Sequence, residues 1–518
     1  MDCSFAHEQG RSLSSPAGRW LLAAAVLGSG MVFLDGTVVN VALPRIGTAL
    51  RASTSALQWV LDGYLLTLTS LITLGGALGD RYGRRRVFAI GATLFAVSSL
   101  LCAMSATAAE LLAARMLQGA GGALLAPGSL AMIESSFRPA DRARAIGAWS
   151  GLGGVVAALG PLLGGYLVEA VSWRAIFLIN IPLAAIVIVV ARRHVAERRD
   201  MAARGPLDLV GAMLAVVALA GIAYALIEGL VAGASAAILG SGIGGMLVLC
   251  VFLLWERGAA NPMVPLSLFD SKQFSSANAV TFVVYAALGG VFFLLVAFLQ
   301  VALRYTPMAA GAAALPATAL MLALSARAGA LAQRIGPRAP LALGCFLIAS
   351  GLLLMTQIDP GARYLSSVLP AVLVFGLGLT IVVAPVTATV LASADDRLAG
   401  TASAINNAVS RLGGLIAVAV LPLIGGLSGR RFYLPLAMAH GFHIAMAACS
   451  LLALAGGVLS WLTISPHALD AAFTGAGSGM QILRERSCSV TGTPLYLSSM
   501  AADRARPPRQ TAANTPRG

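Results

Sequence analysis

Three charged residues sit inside stretches that are otherwise apolar: Asp35 in MVFLDGTVVNVALP, Asp62 in LQWVLDGYLL and Arg115 in LLAARMLQGAGGA. A central Asp or Arg in such a stretch costs about 2.5–3.5 kcal/mol on insertion scales, so it must face a cavity or a partner. Asp35 follows Trp20 by fifteen residues, roughly 22 Å along a helix. Asp62 and Arg115 each enter a few residues into their own apolar run, from the same side. The three are therefore expected at comparable depth, where an Asp–Arg cluster can exchange protons. For Asp62 the plainer alternative is a side chain that snorkels to the interface. For Arg115 it is a structural salt bridge.

A second concentration of charge is GALGDRYGRRRV at 76–87, which places Asp80 among Arg81, Arg84, Arg85 and Arg86. Gly76 and Gly83 allow a tight turn between two helices that nearly touch, and Asp80 ends an apolar run, where an anion can meet the N-terminal dipole of another helix. Anchoring of the loop by positive charge is the competing reading. The polar residues Asn40, Gln118, Gln300 and Asn407 fall at membrane depth and are candidates to line a substrate cavity. In GPLLGG, Gly160, Gly164 and Gly165 let helices approach closely and Pro161 bends its span; ordinary close packing would need the same residues.

The elements that position these residues must be transmembrane helices. The chain has 518 residues, 58% hydrophobic and only 11% charged, with a mean hydropathy of +0.86. Fourteen apolar segments follow one another from about residue 20 to residue 464, each long enough for a bilayer about 30 Å thick. The expected fold class is an all-α polytopic membrane protein. Arg81, Arg84, Arg85, Arg86, Arg138, Arg142, Arg144, Arg192, Arg193, Arg198, Arg199 and Arg204 all fall in loops on one side of the first half. That bias puts both termini in the cytoplasm. Residues 1–19 form an N-terminal tail without a cleavage site, and 465–518 read as a disordered basic cytoplasmic tail.

Composition also excludes functions. The net charge of +14 reflects cytoplasmic arginines and not a nucleic-acid surface. The six cysteines are scattered without a CxxC pair, and the five histidines make no HExxH, so neither a metal site nor a disulfide framework is expected. His440 and His443 read as an interfacial pair. No G-x-x-x-x-G-K-[ST] loop points to ATP, and no Ser–His pair, His-rich box or paired Asp points to an intramembrane enzyme.

The chain repeats internally. GALGDRYGRR at 76–85 returns as GALAQRIGPR at 329–338, an offset of 253 residues, and GPLLGG at 160–165 returns as LPLIGG at 421–426. Eight spans separate the first pair, so two spans are inserted between two six-span halves of the same orientation. The expected units are an N-terminal half over 20–191, an inserted pair over 192–255 and a C-terminal half over 256–464, with the substrate site between the halves.

With these motifs in place, the sequence resembles the fourteen-span drug:proton antiporter branch of the major facilitator superfamily. GALGDRYGRRRV fits its loop 2–3 signature, residues 111–123 its span-four signature, and 147–165 its span-five antiporter signature, with Val156 where that pattern prefers Gly. LDGTVVNVALP and WRAIFLINIP are typical of the branch. The resemblance implies proton-driven export of small, mostly apolar drugs or antibiotics, with no cofactor and the proton gradient as energy source. It implies a bacterial cytoplasmic-membrane protein that works as a monomer and meets small-molecule substrate, protons and lipid. It further implies that Arg115 tunes proton transfer by Asp35 or Asp62, and that Gly160–Gly165 form an exporter hinge. Gly76, Asp80, Arg81, Gly83, Arg84 and Arg85 would latch onto the start of span thirteen near Thr401. The second copy has Gln333 in place of Asp80, so the latch would be asymmetric. Carboxylates in the cavity would suit a cationic cargo, and would equally serve protons alone. A same-fold carrier of a physiological solute is the alternative.

Overall fold

A computed structural model describes residues 12–197, 207–232, 235–259, 262–394 and 398–469. The tail 470–518 and the arginines at 198, 199, 204 and 397 lie outside them. The described residues form sixteen helices: α1 (Pro16–Leu50), α2 (Thr54–Tyr82), α3 (Arg84–Met104), α4 (Ala108–Ser136), α5 (Pro139–Ala170), α6 (Ala175–Leu178), α7 (Asn180–His194), α8 (Leu209–Ala232), α9 (Ala236–Gly258), α10 (Lys272–Val301), α11 (Pro307–Ala312), α12 (Leu315–Ile335), α13 (Arg338–Met355), α14 (Leu369–Ala392), α15 (Ala399–Ile424) and α16 (Pro435–Thr463). Among the described residues, fourteen stretches are long and apolar enough to cross a bilayer.

Local chemistry sets the helix ends. Ser15, Ser53, Thr107, Ser235, Ser271 and Thr306 each precede a helix and accept a backbone N–H from its first turn, which satisfies a donor that would otherwise be orphaned. Two spans are broken, and proline explains both. Pro182 and Pro316 cannot donate to Leu178 and Ala312, the residues at which α6 and α11 stop. Outside the spans, Asp141 Oδ2 accepts from Leu13 N and Arg138 Nη2, both at 3.1 Å. These bonds hold its carboxyl below the usual range.

The packing repeats as the sequence does. In the first half α2 and α3 pack on α4, α1 on α4, α5 and α7, and α3 on α7. In the second half α12 and α13 pack on α14, α10 on α14, α15 and α16, and α13 on α16. The pair α8–α9 is outside this scheme. Gly221 and Gly245 bring its two helices together, and α8 rests on α2 and α15 through Leu66, Ala223, Ile227, Leu415 and Ala419.

The two ends of the bundle differ. At the end holding the 51–53 and 302–306 loops, one continuous core joins both halves, from Val38 and Val41 on α1 to Leu294 and Phe298 on α10 and Phe442 on α16. At the opposite end the halves keep separate cores, one around Phe88, Phe95 and Phe137 and another around Phe274, Val390 and Ile405. Between those two cores the chain leaves a cavity.

Candidate functional site

Asp35 lies midway along α1 and is buried, as are all of its partners. Arg115 Nη1 of α4 bonds Asp35 Oδ2. Gln118 Nε2 and Asn180 Nδ2 donate to Asp35 Oδ1 at 2.9 and 3.3 Å. Arg115 Nη1 also donates to Gln118 Oε1 at 2.6 Å and its Nε to the Val60 carbonyl at 3.1 Å. Its guanidinium lies 4.2 Å from the centroid of the Tyr64 ring. Ser99 of α3 accepts from Gln118 at 2.8 Å and from Asn180 at 3.3 Å. The charges are opposed and both are hydrogen-bonded further, the condition under which an ion pair survives burial.

Asp62 is elsewhere. It is completely buried and neither of its oxygens has a partner among the described residues. Gln58, one turn earlier on the same face, donates to the Val418 and Ala419 carbonyls of α15 at 2.8 and 3.2 Å. Leu66, one turn later, packs on Leu415 and Ala419. Asp62 therefore belongs to the α2 face that meets the second half, whereas Tyr64 turns toward α1 and Arg115. Equal depth did not bring the three charges together, because two residues of helix turn a side chain through more than half a circle.

The cavity encloses about 530 Å³ and is lined by α1, α2, α3, α4, α5 and α15 and by the segments leading into α8 and α10. Asp80, Arg81 and Arg84 stand at its mouth, Thr401 across from them, and Ser29, Phe33, Trp149, Asn407 and Arg411 further in. Asp80 Oδ1 accepts from Arg84 Nε and Nη2, each at 2.8 Å, and Arg84 Nη1 reaches the Ala131 carbonyl at 2.7 Å. Asp80 is bound to α3, and among the described residues no hydrogen bond joins it to the start of α15. Gly83 has φ +112°, and a β-carbon there would collide with Glu197. Glu197 Oε1 accepts from Arg85 N at 3.1 Å, and its other oxygen lies 3.5 Å from Arg85 Nε. Gly76 faces Pro127 across the cavity wall.

At the far end the halves are tied together. Gln300 Nε2 donates to the Val41 carbonyl at 2.9 Å, Met308 N to Glu169 Oε2 at 3.1 Å, and Thr54 Oγ1 to the Gly429 carbonyl at 3.3 Å. A β-carbon on Gly165 would lie 2.6 Å from Met308 Cα, and one on Gly311 would strike the Pro161 carbonyl. Gly164 packs against Val38 and Gly160 against Thr37 on α1. Pro161 cannot donate to Ala157, and Thr37 Oγ1 lies 3.3 Å from that free carbonyl. GPLLGG thus joins α5 to its own half on one side and to α11 on the other.

Of the four residues read from sequence as cavity lining, Asn407 faces the cavity. The other three are placed differently. Asn40 donates to Gly36 of its own helix at 3.1 Å, Gln118 belongs to the Asp35 cluster, and Gln300 ties the closed end. Polarity at membrane depth does not separate a residue that faces open space from one that completes a buried bond. Ser99, Asn180, Thr37, Glu197 and Arg411 acquire their places only in the fold, although Asn180 and Arg411 are legible as polar residues within apolar runs. Among the described residues no group of three His, Cys, Asp or Glu could hold a metal ion.

Two packed six-helix halves around a cavity open at one end, with a buried ion pair beside it, define a polytopic membrane transporter. Residues 25–418 match the family model described as Major Facilitator Superfamily, and the chain belongs to that superfamily. It is 35% identical over 463 residues to a methylenomycin A resistance protein of Bacillus subtilis, covering 88% of this chain and 96% of that one. It is 36% identical to the multidrug resistance protein Stp of Mycobacterium tuberculosis, over 77% of this chain and 74% of that protein. The crystal structure of a D-xylose-proton symporter has the same fold, with a TM-score of 0.59 at 15% identity over 86% of this chain and 98% of that one.

Proposed function

We propose that the chain exports small, mostly apolar drugs or antibiotics from a bacterial cell by alternating access, driven by protons moving the other way. The observation that carries this reading is a drug-sized cavity open at the Asp80 end and sealed at the Gln300 end. The arginine-rich loops support a cytoplasmic location for the open end and for both termini. Similarity to resistance proteins supports the direction of transport.

Two carboxyls divide the proton work. Asp35 pairs with Arg115 and accepts from Gln118 and Asn180. Asp62, in the seam between halves and without a hydrogen-bond partner among the described residues, is the carboxyl to which we assign the exchangeable proton. Opening the closed end parts α2 from α15, wets Asp62 and lets its proton exchange. Asp80 and Arg84 then change partners as the mouth closes and the start of α15 approaches. A single chain holds both halves, so a monomer suffices.

The test is resistance profiling of a drug-sensitive bacterium expressing the chain, with and without an uncoupler. The expected result is a raised inhibitory concentration for at least one compound that the uncoupler abolishes. Resistance that persists in full without a proton gradient defeats the coupling, and the absence of any resistance defeats the export reading.

A further inference from the structure

Three arginines lie well inside membrane spans, Arg115, Arg327 and Arg411; Arg327 is exposed on α12, and of the other two only Arg115 has its charge answered. Arg115 has a carboxylate, an amide oxygen, a backbone carbonyl and an aromatic face. Arg411 takes part in none of the ion pairs among the described residues, and its Nε is buried with no partner. It stands twelve residues into α15, about 18 Å from the helix start, and it lines the cavity. The other charged residues on the cavity wall, Asp80, Arg81, Arg84, Glu134 and Asp208, all sit at helix ends around the mouth. Among the described residues the interior of the cavity therefore carries one charge, and it is positive.

An unanswered guanidinium in a membrane cavity is costly unless something supplies the anion. The surroundings indicate what. Phe33 and Trp149 form part of the wall. The Trp149 indole nitrogen is already spent on Ser29 Oγ at 2.7 Å, so its ring offers an apolar face. Asn407, one turn before Arg411 on the same side of α15, adds an amide. A hydrated inorganic ion has no use for aromatic walls, whereas a flat apolar body with one acidic oxygen matches all of these groups. Carboxylate oxygens fit the planar fork of arginine in two parallel bonds.

We propose that Arg411 is the recognition point for an anionic group on the cargo, so that the exported compounds are planar, largely apolar organic acids and not cations. This rests on the export reading and narrows it. It also replaces the cationic cargo that cavity carboxylates would suit: Asp35 and Asp62 are both absent from the cavity wall.

The experiment uses the purified full-length protein in detergent and two dyes on one xanthene frame, fluorescein as the anion and a rhodamine ester as the cation. Binding is followed by fluorescence anisotropy. The wild type is expected to bind fluorescein about tenfold more tightly than the rhodamine ester, and Arg411→Gln to weaken fluorescein about tenfold while leaving the rhodamine ester unchanged. Arg411→Lys, which keeps the charge and loses the fork, should fall between them. Equal binding of the two dyes, no fluorescein binding, or fluorescein binding unaffected in a monodisperse Arg411→Gln protein overturns the proposal. Uncoupler-sensitive resistance confined to cationic drugs would leave the export reading standing and sink this one. Fluorescein binding through Arg411 in a protein that confers no resistance would do the reverse.

Discussion

Replacing Asp35 by Asn tests whether the buried cluster is held by charge or merely by shape. The substitution keeps the side chain's size and removes its charge. Asp35 accepts from Arg115, Gln118 and Asn180, three donors on two oxygens. Asn offers one acceptor oxygen, so at least one donor loses its partner, and the new amide nitrogen turns toward a guanidinium or toward other donors. Arg115 keeps Gln118 Oε1 and the Val60 carbonyl, but its charge is left without a counter-charge at zero solvent exposure. Breaking a buried pair from one side costs about 3–5 kcal/mol, and the two surviving acceptors place this site toward the lower end. Equilibrium unfolding in mixed detergent micelles measures that loss. The double variant Asp35→Asn/Arg115→Met, which removes both charges, should recover most of the stability and none of the transport. A single variant as stable as the wild type, or a double variant less stable than either single one, refutes the argument that an uncompensated arginine is the source of the cost.

Asp62→Asn breaks no hydrogen bond among the described residues, so stability should change by less than about 1 kcal/mol while efflux ceases to respond to a pH gradient; undiminished gradient-driven efflux would rule out its proton role. Gly311→Val forces a side chain onto the Pro161 carbonyl and should favour opening of the sealed end by about 1–3 kcal/mol, read as faster alkylation of a cysteine placed at Leu163. An unchanged alkylation rate would mean that the α5–α11 contact does not seal that end. Asp80→Asn removes a partly exposed bridge to Arg84 worth no more than about 1 kcal/mol, so membrane levels should hold while transport falls. Normal transport by that variant would reduce the loop to a topology anchor.

Much of the architecture is legible in the sequence because a bilayer imposes simple rules. Length and apolarity mark each span, and the returning G-A-L-x-x-R-x-G-x-R frame marks the two halves; the breaks at 182 and 316 are not legible, because prolines at 44, 127, 161, 385 and 422 sit inside unbroken helices. Buried charges are legible as functional because hydrocarbon makes them expensive. Sequence periodicity assigns a residue to a helix face, but it does not say which neighbour that face meets. Asp35 and Asp62 share a depth and differ in what surrounds them, one bound by side chains of α4 and α7 and the other without a hydrogen-bond partner among the described residues. Gln118 and Gln300 read alike in the sequence, yet one completes an ion-pair cluster and the other closes the molecule's far end. Which buried charge is answered and which is not, as for Arg115 and Arg411, was decided by tertiary structure, because electrostatic partners come from segments distant in the chain and only packing sets the few ångströms on which their energies depend.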